Sequence, residues 1–282
     1  MGTISQTIID FHTHAFPNTL APRAIASLAA NAASCGYVPH TDGTVAGLMN
    51  SMNQGGISRS VVCNIATNAH QMPKVNDFAI QTAKTEPRLI PLGSLHPEAT
   101  PEEMRRELSR LTAAGIRGIK IHPDYVGVEL DSPAFAPILS LCEELGFFVI
   151  THAGFDPLSP GHFHCAPDMI LHVLRDYPRL RFVAAHLGGF ACEEEVLAKL
   201  CGTRVYLDTS LAAVRTSRDP AWGEKCAAIL RAHDPNRLLF GTDSPWSTPA
   251  EELAFLNHVG LSNETLEKIL HTNAEALLGD EI

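Results

Sequence analysis

The 282-residue sequence has no apolar run near the roughly 20 residues that span a bilayer, no cluster of basic residues and no CxxC pair. Residues 1–7 lack the basic start and apolar core of a signal peptide. Each absence removes a class of function. A membrane partner is not expected, and the chain reads as cytoplasmic. A formal net charge of −10 offers no general attraction to polyanions, so no nucleic acid is expected either. The seven cysteines are odd in number, and Cys142 stands in the apolar face of Ile138, Leu139 and Leu145. They read as small buried hydrophobes kept reduced, not as a disulfide framework. What remains is a compact chain, 45% hydrophobic and 18% charged, large enough to bury a sizeable core.

Eight short β-like runs alternate with helical patterns along the whole length: Ile8–His14, Ser60–Ile65, Leu89–His96, Ile116–His122, Phe147–His152, Arg181–His186, Arg204–Asp208 and Leu238–Asp243. Between them, Thr100-Pro101-Glu102-Glu103 and Thr248-Pro249-Ala250-Glu251 carry the signature of a capping box with proline in the first turn. A further helix runs from Ser132-Pro133 to Gly146, and a closing helix from about Ser262 to Leu278. No linker or charge run divides the chain, so the pattern predicts one α/β domain over residues 1–282, a (β/α)8 TIM barrel. A doubly wound sheet is the alternative.

The barrel gives the histidines meaning, because the C-terminal ends of all its strands face one mouth. Of 14 histidines, His12, His14, His96, His122, His152 and His186 fall at predicted strand ends. In Asp10-Phe11-His12-Thr13-His14, residues two apart on a strand point to one face, so the imidazoles of His12 and His14 project together. The last strand ends at Asp243. His12, His14, His152 and Asp243 would form a four-ligand N/O site for a divalent metal, with water completing the shell. Lys120 shares a strand face with His122.

The motifs DFHTH (10–14), GIKIHP (118–123), THAG (151–154), AHLGG (185–189) and GTDSPW (241–246) resemble those of the amidohydrolase superfamily. The likeness is to its branch of metal-dependent barrels that includes small hydrolases, lactonases and aminocarboxymuconate-semialdehyde decarboxylase. The resemblance implies a mouth built on His12, His14, His152, His186 and Asp243, and it permits two metal arrangements. One places a single ion, Zn2+ or alternatively Mn2+, on His12, His14, His152 and Asp243, with His186 as an acid/base or orienting group. The other adds a second ion bridged by a carbamylated Lys120. The single ion is preferred, leaving Lys120 to bind a substrate carboxylate. Deaminase-like members carry a glutamate after the HAG motif; here that position is Phe155.

The implied activity is hydrolysis of a carbonyl-centred bond, an amide or lactone of a small anionic acid. Metal-activated water would be the nucleophile and Asp243 would accept its proton. Non-oxidative decarboxylation is the alternative. Asp10 reads as an acceptor that could orient a ligand, or as a plain strand residue. His164 in a loop, Arg215 with Arg218 after the seventh strand, and Trp246 at the mouth are further substrate contacts to be tested. The segment 16–41 is placed to form a partial lid, and a homo-oligomer is compatible with this sequence.

Overall fold

The run Phe148-Val149-Ile150 is apolar without alternation and buried throughout, as a parallel strand covered on both faces requires. The computed structural model describes residues 7–279. It contains eight strands: β1 (Ile9–Thr13), β2 (Arg59–Val62), β3 (Leu89–Pro91), β4 (Gly118–Ile121), β5 (Phe148–Thr151), β6 (Phe182–Ala184), β7 (Tyr206–Asp208) and β8 (Leu238–Leu239). All ladders are parallel and run in sequence order, β1-β2-β3 and β4 through β8. Gly93 joins the two sheets: its N–H donates to the Gly118 carbonyl at 3.0 Å and its carbonyl accepts from Lys120 N at 2.9 Å. Phe11 N donates to the Phe240 carbonyl at 2.7 Å and closes the ring. The result is the (β/α)8 barrel that the alternation predicts.

Helices cover the outside, and their starts follow the capping signals. Thr100 Oγ1 accepts from Glu103 N while Glu103 Oε2 accepts from Thr100 N, fixing the first turn of the helix Pro101–Ala113. Thr248 and Glu251 repeat the arrangement for Pro249–His258. Five cysteines are buried and all seven are free thiols. Among the described residues no helix is long and apolar enough to cross a membrane.

The boundaries depart from the predicted ones where the chain turns toward the mouth. The last strand stops at Leu239 and the third at Pro91: beyond Pro91, Leu92 N still donates to the Val62 carbonyl while Gly93 turns to β4, and beyond Leu239 the chain bonds to the Ile269 carbonyl and to side chains. Thr242 N, for example, donates to Asp10 Oδ1 at 3.0 Å, and Asp243 takes a left-handed φ of 63°. The helix expected from Ser132 begins at Ala136, after a turn. The closing helix spans Asn263–Leu278 but widens into a π-helical turn at Lys268–Thr272, where the Ile269 carbonyl accepts from Phe240 N. Segment 16–41 contains the helix Ala21–Ala32, which lies along the mouth.

Candidate active site

The mouth holds a cavity of about 1070 Å3, lined on its floor by His12, His14, Lys120, His122, His152, His186 and Asp243. Strand β1 delivers His12 and His14 to one side, and the turn after β8 brings Asp243 to them. Asp243 Oδ1 lies 3.0 Å from His14 Nε2 and 3.4 Å from His12 Nε2. The other ring nitrogens are already committed. His14 Nδ1 lies 2.9 Å from the Cys63 carbonyl, which can only accept, so the hydrogen sits on Nδ1. His12 Nδ1 donates to Asp208 Oδ2 at 2.9 Å. Both Nε2 lone pairs therefore face the Asp243 carboxylate, and three electron-pair donors converge in a buried place. That donor set fits a divalent cation.

The electrostatics agree with that reading. Burial, followed by the Lys120 charge, holds His12 well below the ordinary histidine range, so its ring is neutral. Lys120 Nζ sits 3.1 Å from His12 Nε2, fully buried.

His152 falls outside that triangle, contrary to the four-ligand expectation. Its Nε2 donates to the Phe155 carbonyl at 3.2 Å and its Nδ1 meets His186 Nε2 at 3.1 Å, so both nitrogens are engaged. It belongs instead with His122 and Asp156, a second set of three potential ligand atoms. The His122 ring lies parallel to it at 4.3 Å and stacks on Tyr125 at 4.1 Å on the other face. His186 Nδ1 meets Ser210 Oγ at 2.8 Å, and Ser210 Oγ also touches Asp208 Oδ1. A hydrogen-bonded line thus runs Asp208, Ser210, His186, His152. His186 is depressed well below its ordinary value by burial and by its histidine neighbours. The loops that carry His152 and His186 are laced together. Phe190 N donates to the Ala153 carbonyl at 2.9 Å and Phe155 N to the Phe190 carbonyl at 2.8 Å. They cross so closely at Gly154 (φ 86°) that a Cβ there would lie 2.2 Å from the Phe190 backbone.

Trp246 stands on the cavity wall with Tyr37, Phe155 and Phe190. Arg215 does not reach the cavity. Fully buried, it donates to Glu193 Oε1 at 2.7 Å and to the His186 carbonyl at 3.0 Å, so the residue expected as a substrate contact is a support beneath His186. That support acts on a strained turn, since His186 and Leu187 have φ values of 56° and 55°. His164 also lies off the cavity: its Nδ1 bonds Asp124 Oδ1 at 3.0 Å, and Ser159 Oγ bonds the same oxygen. His96 bonds Glu98 N within its own loop. Asp10 touches no imidazole. It accepts from His12 N, Thr242 N and Thr242 Oγ1, tying β1 to the turn that carries Asp243, and burial pushes it up to about 7. The orienting role foreseen for Asp10 belongs to Asp208.

Asp208, Ser210 and Asp156 were not singled out from the sequence. Asp208 ends the seventh predicted run as Asp243 ends the eighth, and that position was the available signal.

The amidohydrolase family profile matches residues 9–279. An 80-residue stretch is 39% identical to 2-amino-3-carboxymuconate-6-semialdehyde decarboxylase of Dictyostelium discoideum, covering 28% of this chain and 22% of that relative. The chain therefore spans about a fifth of the length of that curated relative. Among solved structures, 5-carboxyvanillate decarboxylase from Novosphingobium aromaticivorans, with bound manganese and a substituted benzoic acid, superposes with a TM-score of 0.69 at 17% identity, over 99% of each chain. A Pseudomonas putida protein described as a 2-pyrone-4,6-dicarboxylic acid hydrolase gives 0.67 at 18% identity, over 98% of this chain and 99% of that one. At such identities the likeness to these two structures is one of fold.

Proposed function

The chain belongs to the amidohydrolase family, and from that premise we propose that this enzyme is a divalent-metal-dependent decarboxylase of a flat, anionic carboxylic acid. The observation that carries the reading is Lys120. Its ammonium is buried and, among the described residues, makes no ion pair; its one acceptor is the lone pair of His12 Nε2. When that lone pair is committed to a cation, Lys120 keeps its donors and loses its acceptor. A substrate carboxylate is the partner whose charge and shape answer it.

His12, His14 and Asp243 would hold the ion, zinc or manganese, which supplies Lewis-acid polarisation of substrate oxygens. The rest is done by the chain. Lys120 receives the carboxylate, and the aromatic wall of Phe155, Phe190 and Trp246 offers a planar acid a face to pack on. As the carbon–carbon bond breaks and carbon dioxide leaves, the carbon takes a proton. His186 and His152, hydrogen-bonded at 3.1 Å with Ser210 behind them, are placed to supply it. The decarboxylase names of the Dictyostelium relative and of the manganese-bound structure support this choice.

A second reading, hydrolysis of a lactone or amide, is favoured by Asp243, which faces the cavity beside both histidines where it could take a proton from water, and by the hydrolase name of the Pseudomonas protein. The test is a panel of hydroxybenzoates and lactone acids given to metal-reconstituted protein. Carbon dioxide release supports the first reading; ring opening without carbon dioxide supports the second. Lys120→Ala should raise KM for acidic substrates with metal content unchanged. Activation by bicarbonate, with metal loss in Lys120→Ala, would instead mean a bridging carbamate.

A further inference from the structure

Main-chain groups that a strand leaves behind when it ends must find other partners if they stay buried. Strand β3 ends at Pro91, yet Gly93 still bridges to Ile119 of β4 in parallel register. The next rung of such a ladder would bring the N–H of residue 95 to the Lys120 carbonyl. Ser94 Oγ donates there instead, at 2.8 Å, and accepts from Ala66 N, beyond β2, at 2.9 Å. Lys120 is therefore held through its N–H by the Gly93 carbonyl and through its carbonyl by the Ser94 hydroxyl.

Ser94 is itself held by one side chain. Asn76, on the helix Met72–Thr85, accepts from Ser94 N at 2.8 Å and donates to the Ser94 carbonyl at 3.2 Å. Its amide thus takes the place of a neighbouring strand. The second amide hydrogen goes to Glu107 Oε2 at 2.9 Å, and since a carboxylate only accepts, that bond fixes which way the amide faces. Glu107 sits on the helix Pro101–Ala113, where Arg110 donates to both its oxygens at 3.0 and 2.8 Å. Asn76, Ser94, Glu107 and Lys120 are each at most 1% exposed, and of the four only Lys120 lines the cavity. Leucine at 76 and alanine at 94 would fill the same space, so packing does not account for these polar atoms.

We propose that Asn76 and Ser94 are positioning residues, which set through the end of β3 where the Lys120 ammonium stands in the mouth. The inference rests on the reading of Lys120 given above, as the group that receives a substrate carboxylate. A strand carbonyl that loses its donor lets the residue shift along the sheet, and a displacement of about 1 Å at the ammonium is enough to weaken its hold on a carboxylate. Neither Asn76 nor Ser94 reaches the cavity, so their contribution passes through Lys120.

The test compares wild type, Ser94→Ala, Lys120→Ala and the double variant, all zinc-loaded, by titration calorimetry with benzoate as the probe. Lys120→Ala should weaken benzoate binding, and Ser94→Ala should weaken it about three- to thirtyfold. The double variant should match Lys120→Ala alone, because a positioning residue then has nothing left to position. A second readout needs no ligand. With lysine side-chain nitrogens isotopically labelled for magnetic resonance, the signal absent from Lys120→Ala identifies the buried ammonium, and it should shift or broaden in Ser94→Ala. Asn76→Leu should act in the same way at a larger cost in melting temperature; if it does not fold, Ser94→Ala decides. Losses that add in the double variant, or an unmoved ammonium signal in Ser94→Ala, would make Asn76 and Ser94 structural residues and overturn the proposal. No benzoate binding in wild type, or binding unchanged by Lys120→Ala, would remove the carboxylate reading of Lys120, with the ammonium signal then deciding the positioning alone.

Discussion

Asp208 Oδ2 accepts the Nδ1 hydrogen of His12 at 2.9 Å, and this bond decides which nitrogen of His12 faces the cavity. Asp208 also accepts from the backbone N–H of His186 at 3.0 Å. One carboxylate at the end of β7 therefore orients both a candidate metal ligand and the main chain of a candidate proton donor.

Asp208→Asn preserves size while removing the charge that fixes the His12 tautomer. Divalent-metal affinity should fall about 10–100-fold, with circular dichroism unchanged. Chelator competition followed by elemental analysis measures it. Unaltered affinity would mean that Ser210 Oγ, 3.3 Å from the same nitrogen, holds the ring unaided.

Arg215→Met leaves the buried Glu193 carboxylate without its cation, and chemical denaturation should show a loss of about 3–5 kcal/mol. Arg215→Met combined with Glu193→Leu should recover most of that stability. Turnover should remain depressed in the double variant, because the His186 carbonyl has lost its donor. Restored turnover would reduce Arg215 to a purely structural residue.

Glu252 accepts from Ala213 N at 3.0 Å and Ser247 Oγ at 2.8 Å, and burial pushes its carboxyl up to about 8 from an ordinary 4.5. Between those values the folded protein keeps a proton that the unfolded chain releases, so this group makes stability fall as pH rises. Glu252→Gln should match wild type in thermal melting near pH 5 and exceed it near pH 8.5. Parallel melting curves at both pH values would refute the assignment.

The barrel was legible because its signals are local. Apolar runs, capping boxes and the spacing of His12 and His14 each lie within a few residues, and the fold brings the strand ends to one mouth. The site was legible where strand ends alone decide it, as for Lys120, His186 and Asp243. Arg215 reads as a substrate contact because it follows a strand end near the mouth, and nothing in the acidic run 193–195 announces that Glu193 turns inward to meet it. Asp208 was overlooked because its partner His12 lies 196 positions away. The environment of His152 depends on ring stacking and a loop carbonyl, neither of which leaves a pattern in sequence.

The crossing of Gly154 and Phe190 bears on how this protein can diverge. No side chain larger than hydrogen fits where the two loops meet, so the half of the mouth that carries His152 and His186 is closed to gradual change. The helix Ala21–Ala32 meets the cavity through side chains such as Leu20 at its start, Ala24 and Leu28, each replaceable one at a time. A laboratory lineage selected for a new acid should gather its substitutions along that helix and leave Gly154 untouched.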